Sequence, residues 1–197
     1  QSDVDVKSNR LLNSNERKQY TMFFAAPIKD KKDNVIAVLA QRLDIEGKFS
    51  EILQLGRIKE SGESYVFGKN GQMLSNSRFT KELHEMGILK KDEKSYEKLD
   101  IRDPGGNIME GFRPSVKLKD LPLTKMAKNA IFLETKQNYS NSEIVSNVEG
   151  YRDYRGVPVF GAWLWNKKFG FAIATEIDVD EALKSYYNLY KNLIIIT

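Results

Sequence analysis

Apolar and polar residues alternate over 22–27 and 35–43, a pattern that predicts two strands, with the polar run Lys29-Asp30-Lys31-Lys32-Asp33-Asn34 as the turn between them. From Asp44 the period changes. Phe49, Ile52 and Leu53 fall on one helical face, Asp44 stands where an N-cap is needed, and Gly56-Arg57 ends the helix after about Leu55. Residues 64–67 and 72–75 read as a hairpin around Gly68-Lys69-Asn70-Gly71, whose Asn-Gly suits a left-handed turn. The stretch 80–123 is loop-rich, and Asp103-Pro104-Gly105-Gly106 is a strong turn signal. A helix is expected from Leu123 or Thr124 to about Thr135, with Met126, Ala127, Ala130 and Ile131 inward, followed by a polar Asn/Ser loop over 138–147. The chain then reads as two long strands closed by a tight turn, spanning 150–178, and a terminal helix from Val179.

This order predicts an α+β fold of five or so antiparallel strands with helices on one side. The two strands before residue 45 fit it least, because an isolated hairpin is marginal in water. They belong either to the same sheet or to the end of a second domain, and the second is favoured. The expected organisation is therefore 1–45 as the remnant of one module, 46–182 as a complete module and 183–197 as a C-terminal helix.

Composition narrows the function classes. The 197 residues, 41% hydrophobic and 29% charged, are ordinary for a globular chain able to bury a sizeable core. The net charge of +4 comes largely from scattered lysines such as Lys29, Lys31, Lys32, Lys90 and Lys91, with no basic stripe, so no nucleic-acid partner is expected. With no cysteine, disulfides, thiolate chemistry and Cys-ligated metals are excluded; an extracytoplasmic bacterial domain and a cytosolic protein both fit. Residues 1–18 lack an apolar core, so no signal peptide is expected there. Leu193-Ile194-Ile195-Ile196 is too short to span a bilayer, which needs about 20 apolar residues. Either this end docks as a frayed helix or a transmembrane helix begins there. The second reading makes Tyr186, Tyr187 and Tyr190, with Lys184 and Lys191, an interfacial belt.

Catalytic chemistry finds little support. His84 is the single histidine and reads as a surface helical residue. No nucleophile elbow, phosphate loop or zinc-protease motif occurs, so no catalytic residue, metal site or cofactor is expected. Glu176 and Asp178 alternate along a strand as a solvent face would, and Asp178 and Glu181 suit capping and the helix dipole. The aromatic stretch is the stronger candidate. Tyr65, Tyr154, Trp163 and Trp165 suit the wall of a small-molecule pocket, with Arg78 and Arg155 as anion donors. The alternative is structural: Trp163 and Trp165 share a face and form core, Gly161-Ala162 leave room for a neighbour, and Arg78 anchors a loop to carbonyls.

GRIKESGESYVFGKNGQMLSNSRF (56–79), LPLTKMAKNAI (121–131) and GYRDYRGVPVFGAWLWNKKFGFAIATEIDVDEA (150–182) together resemble the membrane-proximal half of double-Cache sensor domains. These are PAS-like extracytoplasmic modules of bacterial and archaeal histidine kinases, chemoreceptors and nucleotide cyclases. FFAAPIKDKKDNVIAVLAQRLDI (23–45) is similar to the last two strands of the membrane-distal half, so the resemblance covers roughly 20–192. It implies a PAS-like antiparallel sheet flanked by helices, a small-molecule ligand, membrane attachment through flanking transmembrane helices, a homodimer in the full-length receptor, and a domain outside the cytoplasm. In amino-acid-binding members an Asp on the strand equivalent to 38–43 grips the ligand's ammonium. Here Arg42 stands at or next to that position, which would favour an anion; the alternative is an Arg paired with Asp44 or facing solvent. The readings that compete with a membrane-anchored sensor are a secreted solute-binding or interaction module and, less well supported, a small carboxylate-dependent hydrolase.

Overall fold

The computed structural model describes residues 22–43 and 48–196, and the chain divides into two compact units, Gln1–Arg42 and Leu43–Thr197. In the first unit, β1 (Met22–Lys29) and β2 (Val35–Leu43) form a two-stranded ribbon. Its turn is made by Asp30, whose carboxylate accepts from the backbone N–H groups of Lys32 (2.8 Å) and Asn34 (2.9 Å), while Asp33 takes a left-handed φ of 68°. Val35, Ile36, Val38 and Leu39 are all exposed, so the ribbon carries open apolar side chains on both faces. The expected Asp44 cap lies outside the described residues.

The second unit opens with α1 (Lys48–Gln54) and β3 (Glu63–Gly68). Gly71 makes the expected left-handed turn, with φ 78°. The expected partner strand at 72–75 does not form. Phe67–Met73 and Gln72–Asp100 are isolated bridges: Gly68 N–H bonds the Gln72 carbonyl and Leu74 N–H the Val66 carbonyl, but Val66 N–H turns to the Ser75 hydroxyl (3.0 Å) and the ladder stops there. The insert beyond this turn holds α2 (Thr80–Glu85), α3 (Ser95–Lys98) and two short 3-10 turns. Next comes α4 (Lys125–Thr135), capped by the Thr124 hydroxyl, which accepts from Ala127 N–H. Its Met126, Ala127, Ala130 and Leu133 are buried.

The predicted pair of long strands is three: β4 (Val145–Arg152), β5 (Pro158–Asn166) and β6 (Phe171–Asp178). The extra reversal comes from Asp153, whose carboxylate accepts from the N–H groups of Arg155 (2.8 Å) and Val157 (3.0 Å). β4 begins inside the expected polar loop because it is an edge strand, where Ser146, Asn147 and Glu149 stay compatible with pairing. The fold is α+β, as expected: the second unit holds a four-stranded antiparallel sheet in the order β3-β6-β5-β4.

The register explains how one face holds so many rings. Ala172 and Ala174 of central β6 stand between Phe67 and Tyr65 of β3 on one side and Trp165 and Trp163 of β5 on the other. Two small residues thus make room for four large ones, and all six are buried in one core with α4. β6 passes directly into α5 (Val179–Ile196).

Candidate functional site

Two glutamates occupy the far end of this aromatic face. Glu63 of β3 and Glu176 of β6 are direct cross-strand partners, only 3% and 4% exposed. Like charges facing each other on adjacent strands, away from water, are unfavourable unless one keeps its proton or both are heavily solvated by donors. Here both devices operate. Glu176 accepts from the hydroxyls of Tyr65 (2.7 Å) and Tyr151 (2.6 Å). Glu63 accepts from the Tyr154 hydroxyl (2.6 Å) and Arg78 N–H (2.6 Å), and Tyr154 also bonds the Ser77 hydroxyl at 2.7 Å. Burial pushes Glu176 up to about 8, with the Asp153 charge adding to it against the pull of the two tyrosines. Burial also raises Glu63, opposed by Tyr154, Arg78 N–H and the Arg155 cation. At neutral pH Glu176 therefore holds a proton. The same burial, and the adjacent carboxylates, lift the three tyrosines above their ordinary value, so they serve as donors and not as phenolates.

Backbone geometry builds this cluster. Gly161 lies across from Glu176, and a Cβ there would stand 2.1 Å from the Tyr151 hydroxyl oxygen. The missing side chain is the slot through which Tyr151 reaches the carboxylate. A register shift between Asn147 and Tyr151, with Gly150 at φ 93°, brings Tyr151 to that slot. The sequence reading of Gly161 as room for a neighbour matches this contact.

Arg155 is 4% exposed and paired with two aspartates. Its Nε donates to Asp153 (2.6 Å), its Nη2 to Asp178 (2.5 Å), and its guanidinium lies 3.8 Å from the centre of the Phe79 ring. Burial works against its charge, but Asp153, Tyr154 and Asp178 more than offset this and its pKa rises. As an anion donor it is thus already occupied. Arg78 donates from Nη1 to the Gly62 carbonyl (2.6 Å) and from Nη2 to the Lys59 carbonyl (2.8 Å), the loop-anchoring role. Tyr65 meets Tyr154 edge to face at 5.7 Å. Trp163 donates to Asn129 Oδ1 of α4 at 2.9 Å, and Trp165 is wholly buried, its backbone N–H held by the Tyr139 hydroxyl. Five of the predicted site residues are therefore gathered at one sheet face, but as core and network, while Arg78 braces the loop beside them. Arg42 lies exposed on β2, in the other unit. His84 is half-buried and bonds the Glu93 carbonyl (2.8 Å).

Two expectations are corrected. Glu176 is not on a solvent face. Its neighbours two and four residues back, Ala174 and Ala172, are small and apolar, which marked the buried face, but Ile173 and Ile177 made the opposite face look equally apolar. Glu181 does more than favour the helix dipole. Its carboxylate accepts from Ser61 N–H (2.7 Å), from the Ser61 hydroxyl and from Glu60 N–H (3.0 Å), and these bonds, the Ser61 hydroxyl first, pull it down to about 2. The Ser61 hydroxyl oxygen in turn accepts from Asp178 N–H at 3.1 Å. Glu63, Asp153 and Tyr151 were missed because no motif marks a buried polar cluster assembled from four separate segments.

No family model and no curated protein matches this chain. Among solved structures, the extracellular domain of a putative histidine kinase is similar at 13% identity and a TM-score of 0.44, over 86% of this chain. The chain spans about half (48%) of that protein's length. A likeness this distant carries no functional argument.

Proposed function

We propose that this chain is the extracytoplasmic sensory region of a transmembrane signalling receptor, and that its last helix is the output element. The observation that carries the reading is the joint between sheet and helix. β6 enters α5 without a break, and Glu181 in the first turn of α5 is bonded to Ser61 and Glu60, the residues that lead into β3. Sheet and helix therefore move together, as a relay requires. The open apolar ribbon β1–β2 and the resemblance to double-Cache domains support a two-module receptor, with the ribbon as the end of the distal module. Tyr186, Tyr187 and Leu189 are exposed on α5, where a headgroup region would meet them, although no helix among the described residues is long and apolar enough to cross a membrane.

A catalytic role is disfavoured on physical grounds. The buried Glu63–Glu176 pair is closed to solvent and its oxygens are taken by three tyrosines and the Arg78 N–H, so a substrate has no route to it. These 197 residues hold no cysteine, so labelling of the domain beyond that of the unsubstituted parent reports the introduced residue. A single Cys replacing the exposed Lys128 of α4, in the full-length protein in intact cells, is expected to react with a membrane-impermeant maleimide. Protection until the cells are lysed would place the domain inside and overturn the proposal.

A further inference from the structure

The geometry points to a second site in this unit: a small cavity, lined in part by Tyr154, that takes a short-chain monocarboxylate. Its volume is about 70 Å³. At roughly 10–15 Å³ per water-sized occupant, that is room for about five to seven non-hydrogen atoms. Ile88, Leu89, Leu99 and Ile108 give it apolar walls, and all but Ile88 belong to the buried core. Lys98, Arg102 and Lys119 stand against a single carboxylate, Asp100, among its lining residues. An apolar floor beneath a cationic mouth is complementary to an alkyl tail carrying one negative charge.

Two features separate this mouth from an ordinary solvated surface. Neither Lys98 nor Lys119 is ion-paired among the described residues, so both charges are available. Arg102 is held in place, with Nη1 donating to the Leu121 carbonyl (2.5 Å) and Nε to Asp100 (3.3 Å), which leaves Nη2 without a partner among the described residues. The segment that carries it is pinned on both sides, since Ile101 N–H bonds the Gly71 carbonyl and Thr124 N–H bonds the Ile101 carbonyl. The cationic fork is thereby preorganised.

The cavity also has a path to the network. Tyr154 contributes to its wall, and the hydroxyl of the same ring bonds Glu63 and Ser77. An occupant that shifts Tyr154 alters the bonds of the carboxylate pair, and through it the sheet. This inference rests on the receptor reading for its biological use, though not for the binding itself.

A ligand of about five heavy atoms binds at best in the micromolar range, so the titration runs from about 0.01 to 50 mM. The chain, isotopically labelled, is titrated with sodium propionate at constant ionic strength and followed by amide chemical shifts. Propionamide is the neutral isostere and inorganic phosphate the anion without a tail. Saturable shifts at Leu89, Ile108 and Tyr154 with propionate are expected, with no saturation by propionamide and weaker binding of phosphate. The exposed pair Lys98→Gln/Lys119→Gln, which breaks no contact, is expected to weaken propionate tenfold or more. Absence of saturation, equal binding of propionamide, tighter binding of phosphate, or unchanged affinity in the double variant each overturns the site. Labelling of the Lys128→Cys protein reads the receptor proposal alone, so either can fail while the other stands.

Discussion

Replacing Glu176 by Gln removes a buried titratable carboxyl that the fold keeps protonated at neutral pH. The sign comes from linkage. The folded state holds the Glu176 proton up to about pH 8, whereas an unfolded chain releases it near the ordinary value of 4.5. Between those values the native state binds more protons, so stability falls as pH rises, and the slope vanishes below the lower value and above the upper one. Each pKa unit is worth roughly 1.4 kcal/mol, so the loss across this window is on the order of 3–5 kcal/mol. For a domain of this size that is a fall in Tm of roughly 6–20 °C. Glu63 and Asp153 are also raised by burial and add in the same direction. Gln at 176 reproduces the protonated carboxyl: its carbonyl accepts from one tyrosine and its amide donates to the other. Thermal unfolding followed by circular dichroism, from about pH 5 to 9, is expected to show the native protein losing most of this stability and Glu176→Gln losing only the Glu63 and Asp153 shares. The variant should be the more stable protein at the alkaline end. Parallel profiles for the two proteins would refute the assignment of the proton to Glu176.

Gly161→Ala pushes a methyl into the Tyr151 hydroxyl and is expected to lower stability by about 1–3 kcal/mol at pH 6, measured by urea unfolding; Tyr151→Phe on that background should add little. Arg155→Met leaves Asp153 buried without its cation and is expected to destabilise by about 3–5 kcal/mol, and Asp153→Asn in the same chain should recover part of it. Glu181 is held at about 2, so its stabilisation is present above 4.5 and is lost as pH falls toward 2. Glu181→Gln should therefore flatten the acid limb of the same thermal profile and leave the alkaline limb unchanged.

Where local rules decide, the sequence was legible. The Thr124 cap, the Gly71 turn and the shared face of Trp163 and Trp165 all come from short-range chemistry, and the structure has each of them. β4 was half hidden because an edge strand needs no apolar alternation, and the strand expected at 72–75 failed because the Ser75 hydroxyl takes the Val66 N–H that a ladder would use. The carboxylate network was hidden for a different reason. Glu63 and Glu176 are separated by most of the unit in sequence and become neighbours only through the β3–β6 register. Periodicity alone assigns a glutamate beside isoleucines to water, and only the tyrosines on neighbouring strands reverse that assignment.

The position of the network relative to α5 gives the proposed relay a physical scale. Glu176 and Asp178 are the last residues of β6 to point toward Glu63 and Arg155, and Asp178 N–H bonds the same Ser61 hydroxyl that bonds Glu181. A rearrangement of the carboxylate pair therefore acts at the base of α5, within a few residues of the clamp. An 18-residue helix is about 27 Å long, so a tilt of about 5° at its base displaces the far end by roughly 2 Å. A ligand that binds one tilt about tenfold more tightly shifts the two populations by about 1.4 kcal/mol. Remaking the buried hydrogen bonds of the Glu63–Glu176 pair between states involves energies on the order of 1 kcal/mol each, the same scale. A relay built this way would respond to proton uptake as well as to ligand, and would fail when Glu181 is cut, even with the binding cavity intact.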